Sequence, residues 1–250
     1  MPTRRKFLTT TALASGAVLT PRLTNATGSL NSTQDKLKIM VFGAHPDDPE
    51  TGMGGTICKY TSLGHEVVVV YFTAGEAGID GISHADAASI RKKEAEKACR
   101  IMKTRAIFFG QVDGSCVITP EWYDNMAELL KKEGPDILFT HWPIDSHRDH
   151  RICFNLVYDA WLYAGKKEPL YFYEVCAGNQ SQNFQPDTFV DISSVIQQKW
   201  EACFVHESQK IKEIYSEEHA KMELFRGLEG NAKYAEAFIH HWQSPRGLMP

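Results

Sequence analysis

The 250-residue sequence contains no Cys-x-x-Cys pair and carries no excess of positive charge. Its six cysteines are scattered along the chain, so their spacing matches neither a zinc ribbon nor a thioredoxin-type redox site. The 27 lysines and arginines are outnumbered by 31 aspartates and glutamates, which disfavours a primary role in binding nucleic acid. The sequence also has no internal repeat, and its 43% hydrophobic content is that of an ordinary globular protein.

The N-terminal segment has an apolar run that is too short to span a membrane. This run, TALASGAVLT, follows Arg4, Arg5 and Lys6 and precedes the small residue Ala26. A basic segment before a short apolar run is typical of an export signal, and the paired arginines resemble the twin-arginine signal of bacteria. We therefore predict that residues 1–30 are a twin-arginine-type signal and linker. The mature protein is then expected in the periplasm, without a transmembrane span. A basic N-terminal tail is the alternative.

Apolar runs alternate with helical patterns from residue 37 onward. The runs that predict strands are 37–42, 66–72, 106–109, 136–140 and 170–175. The helical patterns are 55–63, 85–102, 121–132, 150–163, 193–205 and 209–228. This alternation predicts an α/β fold of the Rossmann-like, three-layer type, with a mostly parallel sheet and helices on both faces. Ligands of such sheets bind beyond the carboxyl ends of the strands, where the strand order reverses.

A dense group of charged residues follows the first predicted strand. The stretch AHPDDPE at 44–50 places one imidazole and three carboxylates in a turn with two prolines. Adjacent carboxylates beside an apolar strand repel one another, and a divalent cation would relieve that repulsion. His45 and Asp48 carry the donor atoms that zinc accepts, and one of the two aspartates would remain free to act as a base. A proline-rich surface turn that caps a helix is the alternative.

A second group follows the fourth predicted strand. The stretch HRDH at 147–150 supplies His147, Asp149 and His150, and its histidines are three residues apart. At the start of a helix, both histidines can point the same way. If the first and fourth strands are neighbours, one of these histidines can join the first group around one ion. Three protein ligands with an open fourth position are typical of a catalytic zinc. A helix start with solvated histidines is the alternative.

These motifs together resemble the PIG-L family of zinc-dependent N-deacetylases, which includes N-acetylglucosaminyl-phosphatidylinositol deacetylase. The resemblance is carried by AHPDDPE followed by TGMGG, then by TAGEAG and DSHRDH, and it continues through SIRKKEAEKA, YFYE, VDIS, HESQ and AEAF. It therefore covers nearly all of the chain from 37 to 238. The resemblance implies a PIG-L type deacetylase domain over residues 37–250.

Matching positions of the motifs imply roles for individual residues. The resemblance implies that His45, Asp48 and His150 hold Zn²⁺, with another divalent metal as an alternative. It implies that Asp47 is the general base that deprotonates a water molecule on that zinc. The required chemistry is consistent with these residue types, because zinc lowers the pKa of bound water to about 7.

Further roles are expected for residues around this centre. The resemblance implies that His147, oriented by Asp149, is the protonated partner that stabilises the oxyanion and donates a proton to the leaving amine. It also implies that Arg91 contacts the substrate. Glu76, in the TAGEAG loop, is expected to face the ligand, with a turn of no function as the alternative. The histidine pair 240–241 is interpreted as part of a solvated tail.

The predicted activity is removal of the N-acetyl group from a small N-acetylated amino sugar or glycoconjugate. A different zinc amidase or peptidase is one alternative, and a non-catalytic sugar-binding Rossmann-like protein is another. Asp47 and His147 argue against the binding protein, because binding alone requires no acid and base pair. A dinucleotide-binding protein is excluded, because the first turn lacks Gly-x-Gly-x-x-Gly and presents carboxylates where a pyrophosphate requires backbone amides.

Overall fold

A computed structural model describes residues 36–176 and 178–250, so the predicted signal at 1–30 lies outside the described residues. The strands are β1 (Lys38–Gly43), β2 (Glu66–Tyr71), β3 (Arg105–Phe108), β4 (Ile137–His141), β5 (Leu170–Tyr173), β6 (Thr188–Asp191) and β7 (Ala235–His240). The helices are α1 (Asp48–Ser62), α2 (His84–Met102), α3 (Pro120–Glu133), α4 (Arg148–Tyr163), α5 (Ile196–Phe204), α6 (Ile211–Ile214) and α7 (His219–Glu229). Among the described residues, no helix is both long and apolar enough to cross a membrane.

The strands form one sheet in the order β3-β2-β1-β4-β5-β7-β6. Strands β1 to β5 run parallel, whereas β7 is antiparallel to both β5 and β6. Helices α1, α2 and α5 contribute to the core on one face, and α3 and α4 contribute to the core on the other. This arrangement confirms the predicted α/β fold. The strand order reverses between β1 and β4, so the segments that follow these two strands border the same cleft.

Helix α1 begins earlier than its sequence pattern predicts, and it is kinked. Met53 has the non-helical angles φ −149° and ψ 22°, which interrupt the helical hydrogen bonds. The carboxylate of Glu236 in β7 accepts the N–H groups of Gly55 at 2.8 Å and Thr56 at 2.7 Å. Glu236 therefore acts as a cap for the second part of α1, from a position distant in sequence. It also lies 2.8 Å from the ammonium group of Lys199.

The C-terminal part of the chain differs most from the sequence-based prediction. Strands β6 and β7 were not predicted, and the single helix expected at 209–228 is divided, with Lys210 in the left-handed conformation at φ +53°. The interpretation of the pair His240 and His241 as a solvated tail is wrong. Each is only 7% exposed, and His240 belongs to β7. Strand β7 pairs with β5 on one side and with β6 on the other, so it is an interior strand of the sheet.

Candidate metal centre and catalytic site

Three side chains from the ends of β1 and β4 converge at the carboxyl edge of the sheet. The Nδ1 atom of His45, the Oδ2 atom of Asp48 and the Nε2 atom of His150 form a triangle in which each side is 3.3 Å. Four-coordinate zinc with bonds of about 2.0–2.1 Å holds its ligand atoms about 3.3–3.4 Å apart. All three residues are buried. The donor types and their spacing therefore fit a zinc-sized ion.

Carboxylates orient both histidines of this triangle. The Nε2 atom of His45 lies 3.1 Å from Asp113, and the Nδ1 atom of His150 lies 3.0 Å from Asp145. Each ring can donate an N–H to its carboxylate, which leaves the other ring nitrogen with a lone pair directed at the centre. Neither carboxylate was predicted from the sequence. Asp145 lies within the DSHRDH motif and could have been recognised there, whereas Asp113 has no signal beyond its place after β3.

The centre has a surplus of negative charge. Burial alone would lower the pKa of His45, but its hydrogen bonds to the carboxylates of Asp113, Asp149 and Asp48 raise it well above its ordinary value. Burial likewise opposes protonation of His150, yet Asp48 and Asp145 raise its pKa to about 9. These shifts show that the surrounding carboxylates favour a cation at this position. A divalent ion bound here would neutralise part of this negative charge.

Asp47 adjoins the triangle in a strained backbone conformation. Its φ is +120°, a value that residues other than glycine rarely adopt. The guanidinium of Arg91 donates to Asp47 Oδ2 at 2.8 Å and to the carbonyl of Pro46. Burial raises the pKa of Asp47 to about 6, and Arg91 opposes this rise. Arg91 thus holds the Asp47 carboxylate in place, and this carboxylate can exchange protons near neutral pH.

The structure gives Arg91 a different place from the expected one. Its side chain is almost fully buried and lies beneath Asp47 and Gly75, so its contacts are with the protein. Gly75 has φ +67°, and a Cβ atom there would overlap the guanidinium. Arg91 therefore positions Asp47, whereas the sequence predicted a contact with substrate.

His147 lies beside the triangle at the start of α4. Its ring centroid is 4.5 Å from that of His45, and its Nδ1 atom accepts the N–H of Asp149 at 3.2 Å as a helix cap. Because Nδ1 accepts a hydrogen, the ring carries its proton on Nε2. Burial, together with His45 and His150, also lowers the pKa of His147. The geometry therefore favours a neutral donor in place of the expected protonated ring.

The expected pairing of Asp149 with His147 also differs from the structure. The Asp149 carboxylate accepts the N–H of Gly114 at 2.6 Å and lies 3.4 Å from the Nε2 atom of His45. The backbone N–H of Asp149 fixes the His147 ring at the start of α4. The Asp149 carboxylate points away from His147, toward Gly114 in the loop after β3. Asp149 thus supports the metal centre through His45.

Glu76 connects two loops at the edge of the site. Its carboxylate accepts the N–H groups of Ala74 at 3.0 Å and Asp113 at 3.1 Å. These bonds join the loop after β2 to the loop after β3, and they hold the residue that orients His45. Glu76 is half-buried, and its described contacts are with backbone groups.

His141 is a further residue of the site that was not predicted from the sequence. At the end of β4, its Nε2 atom accepts the N–H of Ala44 at 2.9 Å, and its ring stacks on His150 with centroids 4.1 Å apart. Burial lowers its pKa to about 4, so the ring is neutral. Its position as the last residue of a buried strand gave it the appearance of a core residue. It supports the orientation of His150.

Comparisons with known proteins cover most of the chain. The family profile described as GlcNAc-PI de-N-acetylase, PIG-L, matches residues 40–161. The chain is 31% identical over 222 residues to diacetylchitobiose deacetylase of Thermococcus kodakarensis, covering 81% of this chain and 82% of that protein. It is 25% identical to 4-oxalmesaconate hydratase of Pseudomonas putida, covering 80% of this chain and 83% of that protein.

A solved structure agrees with the observed architecture. The structure of N,N'-diacetylchitobiose deacetylase from Pyrococcus horikoshii in complex with an inhibitor matches with a TM-score of 0.74 and 27% sequence identity. The match covers 85% of this chain and 86% of that chain. The similarity therefore extends well beyond the segment that contains the two charged motifs.

Proposed function

Because this chain belongs to the PIG-L family of de-N-acetylases, we propose that it is a zinc-dependent hydrolase that removes the N-acetyl group from an amino sugar or glycoconjugate. The observation that carries this proposal is the 3.3 Å triangle of His45, Asp48 and His150. The sugar class is supported by relatives that are named as deacetylases of diacetylchitobiose.

The protein groups around the triangle suit amide hydrolysis. A zinc ion held by the triangle would polarise the amide carbonyl and acidify a water molecule. Arg91 occupies Asp47 Oδ2, so Oδ1 is the oxygen that takes a proton from the attacking water. Asp47 returns this proton to the amine nitrogen as the C–N bond breaks, which yields acetate and the free amine. The Nε2–H group of His147 donates to the carbonyl oxygen as negative charge develops there.

The proposal is tested by metal content and acetate release together. We expect the purified chain to bind zinc and to release acetate from N-acetylglucosamine or N,N'-diacetylchitobiose. His150→Ala should lose acetate release and the metal ion held by the triangle, whereas His84→Ala, at an exposed position in α2, should keep both. A chain that takes up no stoichiometric metal would contradict the proposal. Turnover of 4-oxalmesaconate or of peptides in place of N-acetylated sugars would replace the proposed reaction with a hydratase or peptidase activity.

We also propose that residues 1–30 direct export by the twin-arginine route. The proposal is supported by Arg4 and Arg5 ahead of the short apolar run. Replacing both residues with lysine keeps the charge but removes the pair. We expect this variant to remain in the cytoplasm on cell fractionation, while the unaltered chain reaches the periplasm. Equal export of both chains would contradict the proposal.

A further inference from the structure

A second group of metal-binding side chains lies apart from the histidine triangle. The Sγ atom of Cys176, shortly after β5, is 3.7 Å from Glu218 Oε2 and 3.8 Å from His219 Nε2. All three ligand atoms lie within 4.8 Å of one another. Glu218 and His219 stand at the start of α7, so the group joins two segments that are distant in sequence.

The spacing of these atoms is close to that around a bound ion. Zinc–sulfur bonds of about 2.3 Å and zinc–nitrogen bonds of about 2.0–2.1 Å place sulfur and nitrogen about 3.5–3.6 Å apart in a tetrahedral site. The sulfur–nitrogen separation of 3.8 Å exceeds this by about 0.2 Å, a difference that small side-chain movements can remove. The Glu218 oxygen and the His219 nitrogen lie within 4.8 Å of each other. A cavity of about 30 Å³, lined by Cys176 and His219, lies beside the ligand atoms. It has room for about one water-sized ligand.

The charges around the group leave its ligands available. The cations of the cavity wall are already paired, Lys199 with Glu223 at 2.9 Å and Arg226 with Glu174 at 2.6 Å. Within the described part of the chain, the carboxylate of Glu218 makes no ion pair. A metal ion would therefore meet a free carboxylate, and would not have to displace a cation.

The protonation states argue against a nucleophilic Cys–His pair. Burial lowers the pKa of His219 to about 4, which keeps its ring neutral, as metal binding requires. Burial and the carboxylate of Glu218 raise the pKa of Cys176 to about 12. A thiol in this state is a poor nucleophile until a metal ion displaces its proton. The close Cys176–His219 contact is therefore no catalytic dyad.

Backbone contacts connect this group to the first centre. The carbonyl of Cys176 accepts the N–H of Gln180 at 2.8 Å. The side-chain amide of Gln180 lies 3.1 Å from the Nδ1 atom of His150, and the hydroxyl of Ser181 donates to Asp145 at 3.3 Å. Ser181 thus supports the pair that orients one ligand of the histidine triangle, and Gln180 contacts that pair. A metal ion that restrained Cys176 would therefore also restrict movement of the His150–Asp145 pair.

We propose that Cys176, Glu218 and His219 form a second metal site, which takes a zinc-class transition-metal ion and fastens the segment after β5 to the start of α7. The mixture of sulfur, nitrogen and oxygen donors selects zinc-class ions over magnesium or calcium. Three protein ligands leave a fourth position for water. A bound ion would stabilise the fold, and it would steady Gln180 and Ser181 against the His150–Asp145 pair. The effect on the His150–Asp145 pair matters for catalysis only if the proposed function is correct, whereas the effect on the fold does not depend on it.

Cobalt substitution distinguishes the two sites. Co²⁺ bound to a thiolate gives a near-ultraviolet charge-transfer band, which the histidine triangle cannot give because its donors are nitrogen and oxygen. We expect the full chain to bind about two equivalents of Co²⁺ and to show the band. Cys176→Ser should bind about one equivalent without the band, whereas His150→Ala should bind about one equivalent and keep it. The control Glu217→Gln changes an exposed neighbour of Glu218 and should match the unaltered chain.

Two results would overturn the second site. One is absence of the band at saturating Co²⁺ in the unaltered chain, and the other is persistence of the band in Cys176→Ser, which would assign it to another thiol. Failures of the two proposals are distinguishable. A chain that binds only one equivalent, lacks the band and releases acetate refutes the second site alone. A chain that shows the band but releases no acetate refutes the proposed function alone.

Discussion

Two regions of the molecule bury several charged groups, but they balance these charges differently. Around His45 and His150, carboxylates exceed the cations that face them, and the histidine pKa values rise in response. In the C-terminal region, Lys199 lies between Glu223 at 2.9 Å and Glu236 at 2.8 Å. In the C-terminal group a lysine already lies between two carboxylates, and the group fixes elements to one another. The carboxylates around His45 and His150 are suited to capture an ion. A lysine between the carboxylates thus separates a structural network from a binding site more clearly than burial does.

Among the variants that test this comparison, substitution of Asp47 should cause the largest change, a loss of activity at the metal centre. We expect Asp47→Asn to lower kcat by about 10²–10⁴-fold, because an amide cannot take the proton of the attacking water. Metal content should remain unchanged, because Asp48 supplies the oxygen of the triangle. Acetate release and metal analysis on the same sample provide the measurement. The matched control is Asp80→Asn, at an exposed position. Full activity in Asp47→Asn would show that another group is the base.

Substitution in the Lys199 network should lower the stability of the fold more than it lowers the activity. Glu236→Gln leaves the buried Lys199 with one carboxylate and weakens the cap on α1, so we expect a loss of about 3 kcal/mol in the free energy of unfolding. Urea denaturation measures this loss. The exposed control Glu217→Gln should change stability by less than about 0.5 kcal/mol. If Glu236→Gln were as stable as the control, the ion pairs of Lys199 would not contribute to the stability of the fold.

The carboxylates behind the two histidines should have an intermediate effect. Asp113→Asn and Asp145→Asn keep the shape of each side chain but remove its charge. We expect each to weaken metal affinity by about 10–100-fold, since an orienting carboxylate raises the basicity of its histidine. Competition with a chelator measures the affinity, and the exposed Asp124→Asn is the control. Unchanged metal affinity in both variants would mean that the His45 and His150 rings are oriented without the charges of Asp113 and Asp145.

The smallest expected effect is a shift in pH dependence. Burial raises the pKa of Asp47 to about 6, and the charge of Arg91 opposes this rise. Only the ionised carboxylate accepts a proton, so activity falls as the pH drops through the pKa of Asp47. Removal of the cation in Arg91→Gln should move this acidic limb of kcat/KM to higher pH, and Arg91→Lys should move it less. An unmoved limb in Arg91→Gln would assign it to another group.

The sequence could predict the parallel core because its strands are continuous apolar runs. Strands β1 to β5 begin within one residue of their predicted starts. Strand β7 was missed because Glu236 and His240 interrupt its apolar pattern, and their partners are known only from the fold. Helix α1 was predicted to begin at 55, since the prolines and glycines before that point oppose a helix. The distant carboxylate of Glu236 compensates for this local preference.

The candidate site shows the same division between local and distant information. His45, Asp48 and His150 lie in two short motifs that follow neighbouring strands, and the sequence analysis grouped them as metal ligands. Asp113 and the buried position of Arg91 could not be recognised, because each depends on how separate loops meet. The carboxylate of Asp149 turns toward His45 for the same reason. Motifs therefore indicate which residues gather, and the fold decides which of them touch.

The positive φ of Asp47 sets function and stability in opposition at one position. A residue other than glycine in such a conformation costs about 1–3 kcal/mol relative to a relaxed backbone. Glycine at this position would release the strain and remove the carboxylate at the same time. The most stable version of this turn is thus one that cannot catalyse the proposed reaction, and stabilising substitutions have to be sought elsewhere in the chain.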